Sequence, residues 1–132
     1  MTSTGVIQRL VGVYHADGGL RGELAYLIGK ARGTAECALC DVTHGPLGPR
    51  RRWRELRAGL GVPVEMVHLN ERDAQVRTAS EGGTPCLLAI TDDGPVLLLG
   101  PLDLAAIGGS VDRFGARLRA AVADAGLYLP GS

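Results

Sequence analysis

Apolar and polar positions alternate along the chain in blocks of two kinds, one with the period of a strand and one with the period of a helix. Residues 6–15, Val-Ile-Gln-Arg-Leu-Val-Gly-Val-Tyr-His, are rich in branched and aromatic side chains and predict a strand that is covered on both faces toward its end. Asp17 precedes Gly18 and Gly19 as a cap for a helix in which Leu20, Leu24, Leu27, Ile28 and Ala31 fall on one side, and Gly33 closes it. A second helix is expected over 50–60, opened by Pro49, striped by Trp53, Leu56 and Leu60, and stopped by Gly61. Residues 62–69 alternate and predict the second strand, with Asn70 as the cap of a short polar helix through Ala79. The run 86–91 predicts a buried strand, which Asp92, Asp93, Gly94 and Pro95 turn into another at 96–99. A short helical turn near 103–107 follows, and then a terminal helix. That helix is capped by Ser110, has Val111, Phe114, Leu118, Ala121, Val122 and Ala125 on its core face, and ends at Gly126.

The pattern predicts an α/β fold in which a mixed four-stranded sheet is flanked by helices. With 132 residues, 45% hydrophobic content and no internal repeat or long linker, residues 1–132 are expected to form one domain around one core. Formal charge is zero, with nine basic and six acidic residues in 1–66 against five and eight in 67–132. A dipole of +3 against −3 is too mild to predict a nucleic-acid or membrane partner. There is no basic start followed by an apolar run, and no stretch approaches a bilayer span, so a cytoplasmic location is expected.

The chemistry concentrates in Glu36-Cys37-Ala38-Leu39-Cys40-Asp41-Val42-Thr43-His44-Gly45-Pro46, expected as a loop inserted after the first helix. Cysteines three apart can share a metal ion or form a disulfide, and in a reducing compartment the pattern favours metal binding or redox work. Thiolates with an imidazole at Cys-x2-Cys-x3-His suit a transition metal, zinc or copper first and then iron. Cys37, Cys40 and His44 are the local ligands, and Cys86 or His15 would complete the set, with Asp41 behind them. Such a site could serve a small-molecule substrate.

The thiol alternative makes Cys37 the catalytic nucleophile and Cys40 the resolving thiol, acting on a thiol partner protein. A third reading is a non-enzymatic interaction module in which the metal site is a structural clip. Arg50, Arg51, Arg52 and Arg54 around Trp53 have the composition of a nucleic-acid patch. However, Trp53 shares a stripe with Leu56 and Leu60, which predicts an amphipathic helix with a solvated basic face. His68, in the alternating strand, reads as structural or surface. The glycines at 12, 18, 19 and 22 do not form a phosphate loop, and no serine-hydrolase elbow is present.

The order of elements, with Thr84-Pro85 at the entrance to a strand followed by a hairpin and a terminal helix, resembles the thioredoxin-like superfamily. The resemblance implies a cis peptide before Pro85, facing a site at the end of the first strand near 15–19. The family's usual Cys-x-x-Cys position is taken here by Asp17-Gly18-Gly19-Leu20, and Cys37 and Cys40 come one helix later.

Overall fold

The computed structural model describes residues 5–15, 38–45, 48–49 and 51–130. The expected first helix, with its Asp17 cap, and Cys37 lie outside the described residues, as do Pro46, Leu47 and Arg50. In chain order the described elements are β1 (Arg9–Val13), α1 (Ala38–Thr43), β2 (His44–Gly45), β3 (Gly48–Pro49), α2 (Arg51–Gly59) and β4 (Val64–Val67). These are followed by a 3-10 turn (Leu69–Glu71), α3 (Ala74–Ser80), β5 (Cys86–Thr91), β6 (Gly94–Leu99), α4 (Pro101–Ile107) and α5 (Val111–Asp124).

The main sheet runs β4-β1-β5-β6, with β1 parallel to β4 and antiparallel to β5, and β5 antiparallel to β6. Period-two alternation divides the two central strands between two layers. Leu10, Tyr14, Leu87 and Ala89 join Leu39, Val42, Trp53, Leu104, Phe114 and Leu118 in the larger core. Val11, Val13, Cys86, Leu88 and Ile90 form a smaller core with Val76 of α3. The central strands therefore read as unbroken apolar runs because helices cover both sides.

Gly12 faces the larger layer, where a Cβ would stand 2.5 Å from Met66 Cε and 3.3 Å from Leu39 Cδ2. Its missing side chain lets α1 close onto the strand. Trp53 of α2 meets Phe114 of α5 edge-on, with ring centroids 5.7 Å apart, and is 3% exposed. Pro95 sits in β6, an edge strand among the described residues, where its missing N–H costs no internal ladder bond. The Thr84–Pro85 peptide is cis.

Three local expectations need correction. First, residues 38–43 are a helix rather than a loop, because Leu39 and Val42, one turn apart, are both fully buried against the larger core. Second, the expected strand at 62–69 is only four residues long, Val64–Val67. Third, Asn70 does not cap the helix that follows. Instead Asp73 does so, its carboxylate accepting from the Val76 N–H at 2.8 Å, while Asn70 lies inside the 3-10 turn. Among the described residues no helix is long and apolar enough to cross a membrane.

Candidate functional site

Strands β1 and β4 are parallel and in register through Val13 and Val67, so their C-terminal ends open on the same side of the molecule. Tyr14 and His15 leave β1 there, His68 leaves β4, and Thr84 and Pro85 lead into β5 beside them, because Cys86 pairs with Val13. His15 is exposed, and its Nδ1 lies 2.8 Å from Thr84 Oγ1. A hydroxyl both donates and accepts, so this contact leaves the tautomer of His15 open.

Tyr14 points the other way, into the larger core, and is 3% exposed. Its hydroxyl lies 2.8 Å from the Thr43 hydroxyl in a buried bond. Thr43 is the last residue of α1 and is itself fully buried, so this bond fastens the C-terminal end of α1 to the C-terminal end of β1. Cys40 is one helical turn before Thr43, and His44 follows it directly in the short β2–β3 ribbon, where His44 pairs with Pro49. The backbone segment that carries Cys40, Asp41 and His44 is thereby held at the strand ends. The side chains of these three residues lie outside the description, as does all of Cys37.

Cys86 belongs to the opposite layer. It is fully buried among Val11, Val13, Val76, Leu88 and Ile90, and burial pushes its thiol up to about 11, only partly offset by the nearby Arg72 guanidinium. A thiol held protonated in an apolar layer is a poor ligand and a poor nucleophile. Cys86 therefore does not share the face on which α1 packs, although it is adjacent to Pro85 in sequence.

A residue at the strand ends that the sequence reads as structural or surface, and not as part of the site, is His68. Its ring packs 5.0 Å from that of Tyr14, centroid to centroid. Its backbone N–H and its ring Nδ1 both meet one oxygen of Glu71, at 2.7 and 2.6 Å. Glu71 is held below the usual carboxylate range, first by the His68 backbone N–H and then by the His68 ring. The His-x-x-Glu spacing at the end of a strand is the sequence feature that could have drawn attention to this pair.

Three arginines of α2 have partners within the fold. Arg51 pairs with Glu55 at 3.1 Å, Arg52 with Asp112 at 2.7 Å, and Arg57 donates to the Val64 carbonyl, while Trp53 is buried. Among the described residues no group of three His, Cys, Asp or Glu side chains is clustered as a metal site. The chain matches no family model, no curated protein and no solved structure.

Proposed function

We propose that this is a thioredoxin-like protein that binds a soft transition metal ion through Cys37, Cys40 and His44 at the C-terminal ends of β1 and β4. The observation that carries the reading is the buried Tyr14–Thr43 hydrogen bond, which anchors the Cys/His segment at the sheet end where His15, Thr84 and Pro85 also meet. The strand order β4-β1-β5-β6, with one parallel and two antiparallel pairings, supports the thioredoxin-like part of the proposal, and so does Pro85 at the entrance to β5.

Thiolate and imidazole donors suit zinc or copper(I), and a tetrahedral ion needs a fourth ligand beyond the three local ones. The proposal leaves Cys86 out of that set, because its thiol is buried on the other face and holds its proton at neutral pH. An imidazole at the strand ends is the better complement. A fourth position left to exchangeable solvent would allow a small molecule to bind the ion and be polarised there.

The test is elemental mass spectrometry on untagged protein purified without oxygen or chelators, paired with a free-thiol count. About one metal per chain is expected, lost in the Cys37→Ser/Cys40→Ser variant. Metal-free protein whose two thiols cycle readily with a disulfide would overturn the proposal and assign thiol–disulfide exchange to Cys37 and Cys40 instead.

A further inference from the structure

We propose that the notch between α2 and α5 binds a small monocarboxylate with an apolar body, its carboxylate held by Arg119. The inference stands apart from the metal reading, since no residue of the notch belongs to the strand ends. The notch has a volume of about 260 Å³ and is built from chain neighbours of Trp53 and Phe114, whose ring contact joins the two helices. Its floor is apolar, with half-buried Leu56 on α2 and buried Val111 on α5. Val111, Gly115 and Arg119 are four residues apart, so α5 presents them in one row along the notch. At the middle of that row a Cβ on Gly115 would stand 3.2 Å from Leu56 Cδ1 and 3.3 Å from Arg119 Nη1. Glycine inside a helix costs stability relative to alanine, and here it keeps the floor open.

The charges around this floor do not balance. Arg52 takes both oxygens of Asp112, at 2.7 and 2.8 Å, and Arg51 takes Glu55 at 3.1 Å. Arg119 has no carboxylate partner among the described residues. Its one hydrogen bond there runs from Nη1 to the Gly115 carbonyl of its own helix, at 3.5 Å. That distance is at the outer limit of a hydrogen bond, so the planar fork of the guanidinium is left for solvent or for a ligand. A carboxylate matches the fork and meets it through two parallel charge-assisted bonds. Glu55 and Asp112 then select among anions. They line the notch as fixed negative charges, so a second charge on the ligand, as on phosphate or a dicarboxylate, is repelled. Leu56 and Val111 favour an apolar body behind the single carboxylate.

The experiment is an NMR titration of isotopically labelled full-length protein with benzoate at constant ionic strength. It follows the backbone amides, with Trp53 fluorescence as a check that each variant is folded. For a ligand of this size a Kd of about 1 mM is expected, with shifts concentrated at Leu56, Val111 and Gly115. Arg119→Gln should weaken binding by about 10-fold or more, and Gly115→Ala, which puts a methyl group on the floor, should abolish it. Inorganic phosphate and the uncharged benzyl alcohol should each bind at least about 10-fold more weakly than benzoate. Arg113→Gln, on the same helix but not lining the notch, should match wild type.

Benzoate shifts that do not saturate by about 50 mM, or that titrate alike in wild type and Arg119→Gln, overturn the inference. Phosphate binding as tightly as benzoate at the same amides also overturns it, because the notch is then a general anion site. Should Arg119→Gln fail to fold, the remaining comparisons decide. Either unchanged benzoate binding in Gly115→Ala or benzyl alcohol binding as tightly as benzoate then removes the role assigned to the notch.

Discussion

The two faces of the sheet are both sealed by apolar side chains, yet they differ in what they enclose. Under α3, the layer of Val11, Val13, Val76, Cys86, Leu88 and Ile90 is small, and the polar group it buries beside the strands is a thiol that keeps its proton. On the other face, α1, α2, α4 and α5 cover a larger core that admits a buried pair of hydroxyls, Tyr14 with Thr43, at the strand ends. The cysteine in the first layer is inert because burial raises its thiol by more than the nearby Arg72 guanidinium lowers it. On the second face the hydrogen-bonded pair fixes a short helix whose own six residues could not hold it in water. Burial of a reactive residue type is thus a poor guide to function by itself, and the layer to which it is buried decides the matter.

The largest expected effect separates the faces through Trp53, the one tryptophan in the chain. Phe114→Ala removes the ring that meets Trp53 edge-on and should lower stability by about 3–5 kcal/mol in urea denaturation, with a red shift in the emission of the folded protein. Val76→Ala, in the layer under α3, should cost about 1–2 kcal/mol and leave that emission unchanged, since Trp53 packs in the other layer. An emission shift in Val76→Ala would mean that the two layers are not independent.

A smaller effect tests the smaller layer by pH. The Cys86 thiol is raised from 9.0 to about 11 by burial, so the native state binds its proton more tightly than the unfolded chain does. Its contribution is intact below pH 9. As pH rises toward 11 the unfolded chain ionises first, and stability falls. Between pH 8 and pH 10.5 the wild type should lose about 2 kcal/mol more than Cys86→Ala, whose other titrating groups are the same. Parallel pH profiles for the two proteins would show that Cys86 is not held in a dry layer.

Much of the fold was legible because local rules and global packing agree. The run 86–91 reads as a buried strand from composition alone, and Ser110 is confirmed as the cap of α5, accepting from the Arg113 N–H at 3.2 Å. The same alternation along β5 that sets Cys86 with Leu88 and Ile90, against Leu87 and Ala89, could have told that Cys86 faces away from α1. Helix α1 was hidden because six residues offer only Leu39 and Val42 as a stripe, and Gly45 and Pro46 beside two cysteines argue for a turn. Asn70 and Asp73 are both good caps, so propensity could not choose between them. The choice falls to Asp73 because the His68–Glu71 pair closes a separate turn around Asn70. That pair depends on β4 ending at Val67, a boundary set by its pairing with β1.

The smallest effect bears most directly on the proposed site. Tyr14→Phe keeps the ring in the larger core and beside His68 but removes the hydroxyl that meets Thr43, so the global loss should be about 1 kcal/mol. The more telling measurement is amide hydrogen exchange, which resolves local opening. Protection should fall in α1 while that of α3, on the opposite face, stays as in wild type. Thr43→Val should give the same pattern, and the double variant should cost less than the two singles combined, by about 0.5 kcal/mol or more, because both break one bond. Additive losses with unchanged protection in α1 would mean that the helix is held by Leu39 and Val42 alone. The hydroxyl pair would then be a passenger in the core, and the placement of the Cys/His segment at the strand ends would have to be credited to apolar packing.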